Sequence, residues 1–253
     1  MKLSLIHPVL NSHEAVRRHL LHWRKIGFPP DVEVIIMDDG SDPPLEFDLS
    51  GLPVTIYKTN EFRPFTSSAA RNTAARKYAK GDYLLMADID YIIPREAIEY
   101  CCGFKGDKIQ FAREFGVLDE NGEFTQDREV LLAYGLLEAR YEERGPKLPP
   151  HPNVYCMRRQ LFLDMGGYDE RLVFNRHYPQ GEDNKWKKHW LVWQREHGVK
   201  THHIRPVVYM FPGGQFCGDV DYNPFDIFDT TLSRKNGKNV FYQRQLRREA
   251  KQQ

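Results

Sequence analysis

Between Lys2 and Pro94, short unbroken apolar runs alternate with longer stretches in which apolar residues recur every three or four positions. "KLSLIHP" is the first run and predicts a strand stopped by Pro8. Asn11 or Ser12 can cap the helix after it, where Ala15, Val16, Leu20, Trp23 and Ile26 share one face and Gly27 ends the pattern. "VEVIIMDDGSDPP" is nearly continuous in apolar residues up to its acidic turn, the texture of a strand buried on both faces. "PVTIYKT" predicts a third strand. "TSSAARNTAARKYAKG" predicts an Ala-rich helix, with Ser and Thr to cap its start and Gly81 beyond its end. "GDYLLMADIDYIIP", residues 81–94, predicts a buried strand that runs into Asp88 and Asp90. Strand–helix–strand alternation of this kind predicts an α/β fold, a mostly parallel central sheet with helices on both faces.

From about Ile109 the texture becomes that of a mixed α+β half. "IQFAREFGVLDENGEFT" predicts a hairpin turning at Glu-Asn-Gly-Glu. "REVLLAYGLLEARYEERG" predicts one helix and "PKLPPHPN" an irregular loop. "VYCMRRQLFLDMGGYDERL" predicts a strand, a short helix and a Gly-Gly turn. "GEDNKWKKHWLVWQREHG" predicts a helix whose leading acids suit the positive end of its dipole. "KTHHIRPVVYMFPGG" predicts a last strand. No repeat or low-complexity linker divides the chain, so a single domain is expected over residues 1–233, its texture changing after residue 108. Residues 234–253 form a basic C-terminal tail.

Composition adds mainly exclusions. The 253 residues are 41% hydrophobic and 28% charged with a net charge of +1, which gives no whole-protein attraction to a polyanion. The four cysteines include no CxxC pair, which argues against structural zinc and a disulfide scaffold and for reduced thiols in a cytoplasm-like compartment. The N-terminus is too polar for a signal peptide, and no apolar stretch approaches the roughly 18 residues of a membrane span. A soluble cytoplasmic protein, or one peripheral to a membrane, is expected.

Four groups of residues could carry chemistry. Asp88 and Asp90 could be solvated acids of a turn, since Asp219-Val220-Asp221 has the same spacing in a Gly- and Pro-rich loop. Only the first pair ends a buried strand, where open α/β sheets place ligands, and two carboxylates there suit a hard divalent cation that must meet phosphate oxygens. Asp38 and Asp39 end another strand, either as a plain Asp-Gly turn or as acceptors for the ring N–H of a uracil or guanine. Arg71 could be an exposed helix residue, or could point its guanidinium at a nucleotide over the sheet edge. Glu182 and Asp183 could simply cap a helix dipole, or Asp183 could act as a general base on an acceptor hydroxyl.

Taken in order, "LSLIHPVLN", "VEVIIMDDGSDP", "AARNTAARKYAKGDYLLMADID", "MGGYDE" and "GEDN" resemble the GT-A fold nucleotide-sugar glycosyltransferases, family 2 above all, over roughly residues 3–212. "DIDYIIP" with the later Gly-Glu-Asp is also similar to the galactosyltransferase branch. The resemblance implies a nucleotide-binding half at 1–108 and an acceptor and catalytic half at 109–233. It implies that Pro8 lines the nucleotide cleft, Asp39 binds the base, and Arg71 reaches the base or diphosphate. It implies Asp88 near the ribose and metal, Asp90 on Mn²⁺ or Mg²⁺, and Gly167 and Asp169 at the donor-sugar and acceptor pocket. Asp183, with Glu182 beside it, matches the base of inverting members. The implied reaction is a single displacement that moves one sugar from a nucleotide-diphospho-sugar, UDP-linked as first choice, to a hydroxyl of a glycan, a lipid-linked sugar or a modified nucleic acid.

The chain departs from the family pattern in places. Met210 stands where relatives often carry a metal-binding His, leaving His202 or His203 as a substitute or Asp88 and Asp90 as the only protein ligands. The Gln-x-x-Arg-Trp motif of processive synthases is absent, which points to one sugar per encounter. The tail from Arg234 to Lys251 has seven basic residues and one acid, and is either a solvated helix or a contact for an anionic acceptor or surface. Two rival readings remain. A nucleotidyltransferase would need a Gly-rich loop that "HPVLNSHEAV" lacks, and a non-catalytic relative would bind a sugar nucleotide or glycan without turnover.

Overall fold

A computed structural model describes residues 2–41, 43–59, 67–170 and 182–212. In chain order the elements are β1 (Leu3–Val9), α1 (His13–Ile26), β2 (Val32–Asp38), β3 (Val54–Lys58), α2 (Ser67–Thr73), β4 (Tyr83–Met86), β5 (Tyr91–Ile92) and α3 (Arg95–Gly103). The second half adds β6 (Lys108–Phe115), β7 (Val117–Leu118), β8 (Phe124–Thr125), α4 (Arg128–Ala133), α5 (Glu138–Arg144), β9 (Lys147–Leu148), β10 (Tyr155–Arg158), α6 (Arg159–Asp164), α7 (Glu182–His197) and β11 (Thr201–Met210).

The main sheet has the order β3-β2-β1-β4-β10-β6-β11-β5. β3, β2, β1 and β4 are all parallel, so their carboxyl ends share one edge. β10 enters antiparallel to both β4 and β6, and β11 returns parallel to β6. Side chains alternate between two apolar layers. Leu3, Leu5, Val34, Ile36 and Leu85 pack under α1 and α3, with Trp23 and Ile98. Ile6, Ile35, Met37, Leu84 and Met86 pack under α2, α6 and α7, with Ala70, Phe162, Trp186 and Trp190. Both faces are covered, which is why these strands read as unbroken apolar runs.

Three local expectations change. β1 does not stop at Pro8 but carries it in register with Met37 and ends at Val9. The Ile6 carbonyl accepts from the Ala87 N–H, so by alternation the backbone of Pro8 also faces the β4 side, where pairing has already ended and no donor is needed. The Ala-rich helix is α-helical only to Thr73; a π-helical turn over Ala74–Tyr78 follows, closed by the Ala79 N–H on the Ala74 carbonyl at 2.8 Å. The predicted single helix after residue 127 is two, α4 and α5, parted around Gly135 at φ 91°. Leu131 and Leu136 are both buried in a third apolar cluster with Phe115 and Val117. Five residues apart they would lie well off a common face of one helix, and the break lets both reach that cluster.

The predicted hairpin forms as β7 and β8, although Lys108–Phe115 belongs to the main sheet. Gly122 in its turn lies at φ 76°, and a Cβ there would stand 2.6 Å from the backbone nitrogen of His22, so only glycine lets the hairpin dock on α1. The tail 234–253, Cys217 and the second Asp-x-Asp at 219–221 lie outside the described residues. Among those described, no helix is long and apolar enough to cross a membrane.

Candidate active site

The site begins at the shared carboxyl edge of β1, β2 and β4. The two acids ending β2 have different jobs. Asp38 accepts from the backbone N–H groups of Ser41 at 2.8 Å and Leu45 at 3.0 Å, closing the turn. Asp39 follows it outward, its own N–H on the Val9 carbonyl and its carboxylate accepting from the Thr59 hydroxyl at 3.2 Å. Pro8 is buried one strand over, next to this turn.

Beyond β4 the chain turns sharply, with the Tyr91 N–H on the Asp88 carbonyl at 3.0 Å. Ile89 is buried in the core and anchors the turn, while Asp88 and Asp90 flank it. One carboxylate oxygen of Asp90, Oδ1, is buried without a hydrogen-bond partner among the described residues. Burial, and then the neighbouring charge of Asp88, push the Asp90 carboxyl up to about 7. The Asp88 carboxyl is also raised, because burial outweighs the opposing pull of Arg71 and His151. Two crowded carboxylates with an unsatisfied oxygen form a hard-donor set that fits a divalent cation. No three His, Cys, Asp or Glu among the described residues are grouped to hold a metal alone. Mg²⁺-like ions commonly complete such a shell with water and substrate phosphate.

The candidate histidines do not complete that set. The Phe211 N–H, just past β11, donates to the Asp90 carbonyl at 3.1 Å, so this end of β11 meets the acids. His203 stands seven residues back along the strand, about 23 Å at roughly 3.3 Å per residue, and is exposed. His202 packs edge-on against Phe104, ring centroids 5.3 Å apart. Met210 does lie at the near end, where its sulfur is 3.9 Å from Nη1 of Arg113.

Arg71 is placed differently from expectation. It is only 1% exposed, donates through Nη1 to Glu182 and through Nη2 to Asp88, and lies over the Tyr168 ring at 5.1 Å. Its guanidinium ties the β4 turn to the first residue of α7. Glu182 is equally committed, accepting also from the Ser67 hydroxyl at 2.6 Å and the Asn153 amide at 3.1 Å. Asp183, the next residue, has a side chain 41% exposed, and this separates it from its neighbour. It accepts from the Asn153 amide and from His151 Nε2 at 3.1 Å. Burial would raise its carboxyl, but these donors and the charges of His151 and Arg71 bring it below the usual carboxylate range.

The Gly-Gly turn braces this arrangement. Asn72 accepts from the Tyr168 N–H at 2.9 Å and donates to the Tyr168 carbonyl at 2.8 Å. Gly167 sits at φ 72°, and a Cβ there would fall 2.3 Å from the Asn72 oxygen. Tyr168 then donates its hydroxyl to Asn153 at 3.1 Å and stacks on Trp186 of α7 at 4.4 Å. Asp169 is half-buried at the end of the turn. Sequence reading missed His151 and Asn153, which it placed in an irregular loop. The available signal was three prolines, Pro149, Pro150 and Pro152, which bracket His151 and directly precede Asn153 just before a strand. A loop stiffened in that way can hold side chains in place.

Residues 4–114 match the family model described as glycosyl transferase family 2. A comparison with curated proteins gives no match. Among solved structures, the chain is similar to TarS 1–349 of S. aureus in complex with UDP, at 20% identity and a TM-score of 0.50, covering 76% of this chain and 55% of that one. It is also similar to the mannosyltransferase PcManGT of Pyrobaculum calidifontis, at 16% identity and a TM-score of 0.50, covering 89% and 60%. Glucosyl-3-phosphoglycerate synthase of Mycobacterium tuberculosis follows at 15% identity and a TM-score of 0.50, covering 92% and 79%. This chain spans only 33% of the longer TarS structure. The family model matches the first half of the chain, residues 4–114, and the solved structures, at 15–20% identity, bear on the fold, which is similar to that of GT-A glycosyltransferases.

Proposed function

We propose that the protein moves one sugar from a nucleotide-diphospho-sugar to a hydroxyl acceptor with inversion, using Asp183 as general base. The observation that carries this reading is the contrast between neighbours: Glu182 is buried and saturated with donors, whereas Asp183 is 41% exposed and linked through Arg71 and Glu182 to the Asp88–Asp90 turn. Residues 1–108 would hold the nucleotide and 109–233 the acceptor. Asp39 would accept from the base, with Pro8 under it. Gly167 and Asp169 would shape the sugar pocket. Arg71, already engaged by two carboxylates, would hold Asp88 in place and contact the nucleotide only by exchanging a partner.

In the transfer, the acceptor hydroxyl gives its proton to Asp183 while its oxygen bonds to the anomeric carbon. The bond from that carbon to the diphosphate oxygen breaks, and its electron pair stays on the diphosphate. Asp88 and Asp90 would hold Mn²⁺ or Mg²⁺, whose chemistry there is to offset charge on the leaving diphosphate. Support for the donor comes from the structural neighbours, one solved with UDP and another with GDP-Man and Mn²⁺. A UDP-sugar is our first choice; the acceptor hydroxyl would belong to a glycan, a lipid-linked sugar or a modified nucleic acid, with the basic tail as a contact for an anionic one.

A thermal-shift screen of UDP-, GDP-, TDP- and CMP-sugars with and without Mn²⁺ tests the reading. A UDP-sugar should raise the melting temperature only with metal, and Asp90→Ala should abolish that shift. Equal shifts with and without metal would remove the metal assignment. No shift from any donor would favour a non-catalytic relative.

A further inference from the structure

The loop 149–153 is held more firmly than its sequence suggests. Arg113, 6% exposed, donates from Nε to the Pro149 carbonyl at 2.6 Å and from Nη1 to the Tyr91 hydroxyl. Gln110 donates its amide to the carbonyls of His151 at 2.8 Å and Val154 at 3.0 Å. Both anchors rise from β6, so the imidazole of His151 is presented from the sheet and not from a free loop.

The bonding fixes what the ring can do. Nδ1 of His151 accepts from the Asn153 N–H at 3.3 Å, which leaves the proton of the neutral ring on Nε2, where it is donated to Asp183 at 3.1 Å. The other Asp183 oxygen accepts from the Asn153 amide. The ring therefore has no spare lone pair with which to take a proton from substrate. Each carboxylate oxygen keeps a second lone pair, and the Asp183 side chain remains 41% exposed. Two donors from one braced loop hold the carboxylate, while its side chain stays partly exposed.

We propose that His151 is a positioning residue for sugar transfer, holding the Asp183 carboxylate in the orientation in which it meets the acceptor hydroxyl. This rests on Asp183 being the base, and it adds a residue that acts only through Asp183. Misplacement of a catalytic group by about 1 Å can cost on the order of 100-fold in rate. His151→Ala should accordingly lower kcat about 10- to 100-fold with the KM for donor unchanged. His151→Gln, whose amide can still donate, should recover part of that loss.

The deciding experiment is a double-mutant cycle of His151→Ala with Asp183→Asn, measured as kcat and donor KM beside the urea midpoint of each variant. A residue that works through Asp183 adds nothing once Asp183 is disabled, so the double variant should match Asp183→Asn alone. Three results overturn the proposal: a normal kcat in His151→Ala, a further loss in the double variant, or a loss in His151→Ala that Gln does not relieve at an unchanged urea midpoint. A near-wild-type rate in Asp183→Asn would instead remove the base itself and the proposal with it.

Discussion

The edge we propose for the donor and the cluster we propose for the acceptor are built in opposite ways. On the donor side the acids sit where strands end, and the bonds that shape their turns are local: Asp38 is held by Ser41 and Leu45, and the Asp88 carbonyl by the Tyr91 N–H, while Asp39 adds neighbouring-strand contacts to Val9 and Thr59. On the acceptor side almost every bond joins residues distant in the chain. Arg71 meets Glu182, Asn72 meets Tyr168, and Asn153 meets both Glu182 and Asp183. A strand-end acid is placed by the period of its strand. An acid such as Asp183 is placed by a buried polar network, and such a network holds its geometry only when nearly all its members are satisfied.

Arg71 is where the two constructions meet, so removing it should have the largest effect. Arg71→Met would leave Glu182, 7% exposed, without its cation and Asp88 without its counter-charge. Breaking a buried ion pair from one side costs about 3–5 kcal/mol. Urea unfolding should register a loss of that size. A loss below about 1 kcal/mol would mean that the donor and acceptor sides stand independently.

The next test stays on the acceptor side. Gly167→Ala places a methyl against the Asn72 oxygen at φ 72°, whereas Gly166→Ala at φ 84° meets nothing within 4 Å. Both carry a left-handed backbone penalty of about 1–2 kcal/mol. The Gly167 variant should lose at least about 1 kcal/mol more by thermal or urea unfolding, through the displaced Asn72 bonds. Equal losses would show that Asn72 yields freely and that the turn does not brace α7.

On the donor side, adjacent acids should separate by type of effect. Asp38→Ala leaves two buried N–H groups without their acceptor, a cost of about 1–3 kcal/mol. Asp39→Asn, buried but still able to accept from the Thr59 hydroxyl through its amide oxygen, should cost less, about 1 kcal/mol, while weakening nucleotide binding, read as a lost thermal shift with donor. Reversed effects would exchange their roles.

This contrast also decides what was legible beforehand. β1, β2 and β4 announce themselves because both faces of each are buried, and the acids that follow β2 and β4 are found by reading to the end of the run. Helix α7 shows its start for the same kind of reason, two acids at a dipole. Only the flanking prolines hint at His151 and Asn153, because their partners are 32 and 29–30 residues away, respectively, on another element. For Arg71, Ala69, Ala70 and Ala74 signal close packing on the sheet, and close packing is what buries its guanidinium against Glu182 and Asp88, with which it is already paired. His203 failed for want of a length estimate, since a ten-residue strand puts its two ends on opposite edges of the sheet.

The smallest effect tests whether the His151–Asp183 contact carries charge as well as a hydrogen bond. Burial lowers the His151 pKa, but the bond to Asp183 and the nearby charges of Asp183 and Asp88 reverse this and leave it above 6.5. Asp183 is shifted the other way, below 3.8. A raised histidine contributes stability below its unfolded pKa and loses it as pH rises through the folded value; a lowered carboxylate contributes above its unfolded pKa and loses it as pH falls. The pair is therefore fully charged between about pH 4 and 6.5 and fades on either side. With side chains 28% and 41% exposed, solvent screening keeps its contribution under about 1 kcal/mol. The stability difference between wild type and Asp183→Asn in urea should peak near pH 5 to 6 and shrink as pH rises above about 6.5 through the raised His151 pKa. A difference that does not vary with pH would leave His151 neutral throughout, holding the carboxylate by its Nε2 hydrogen alone.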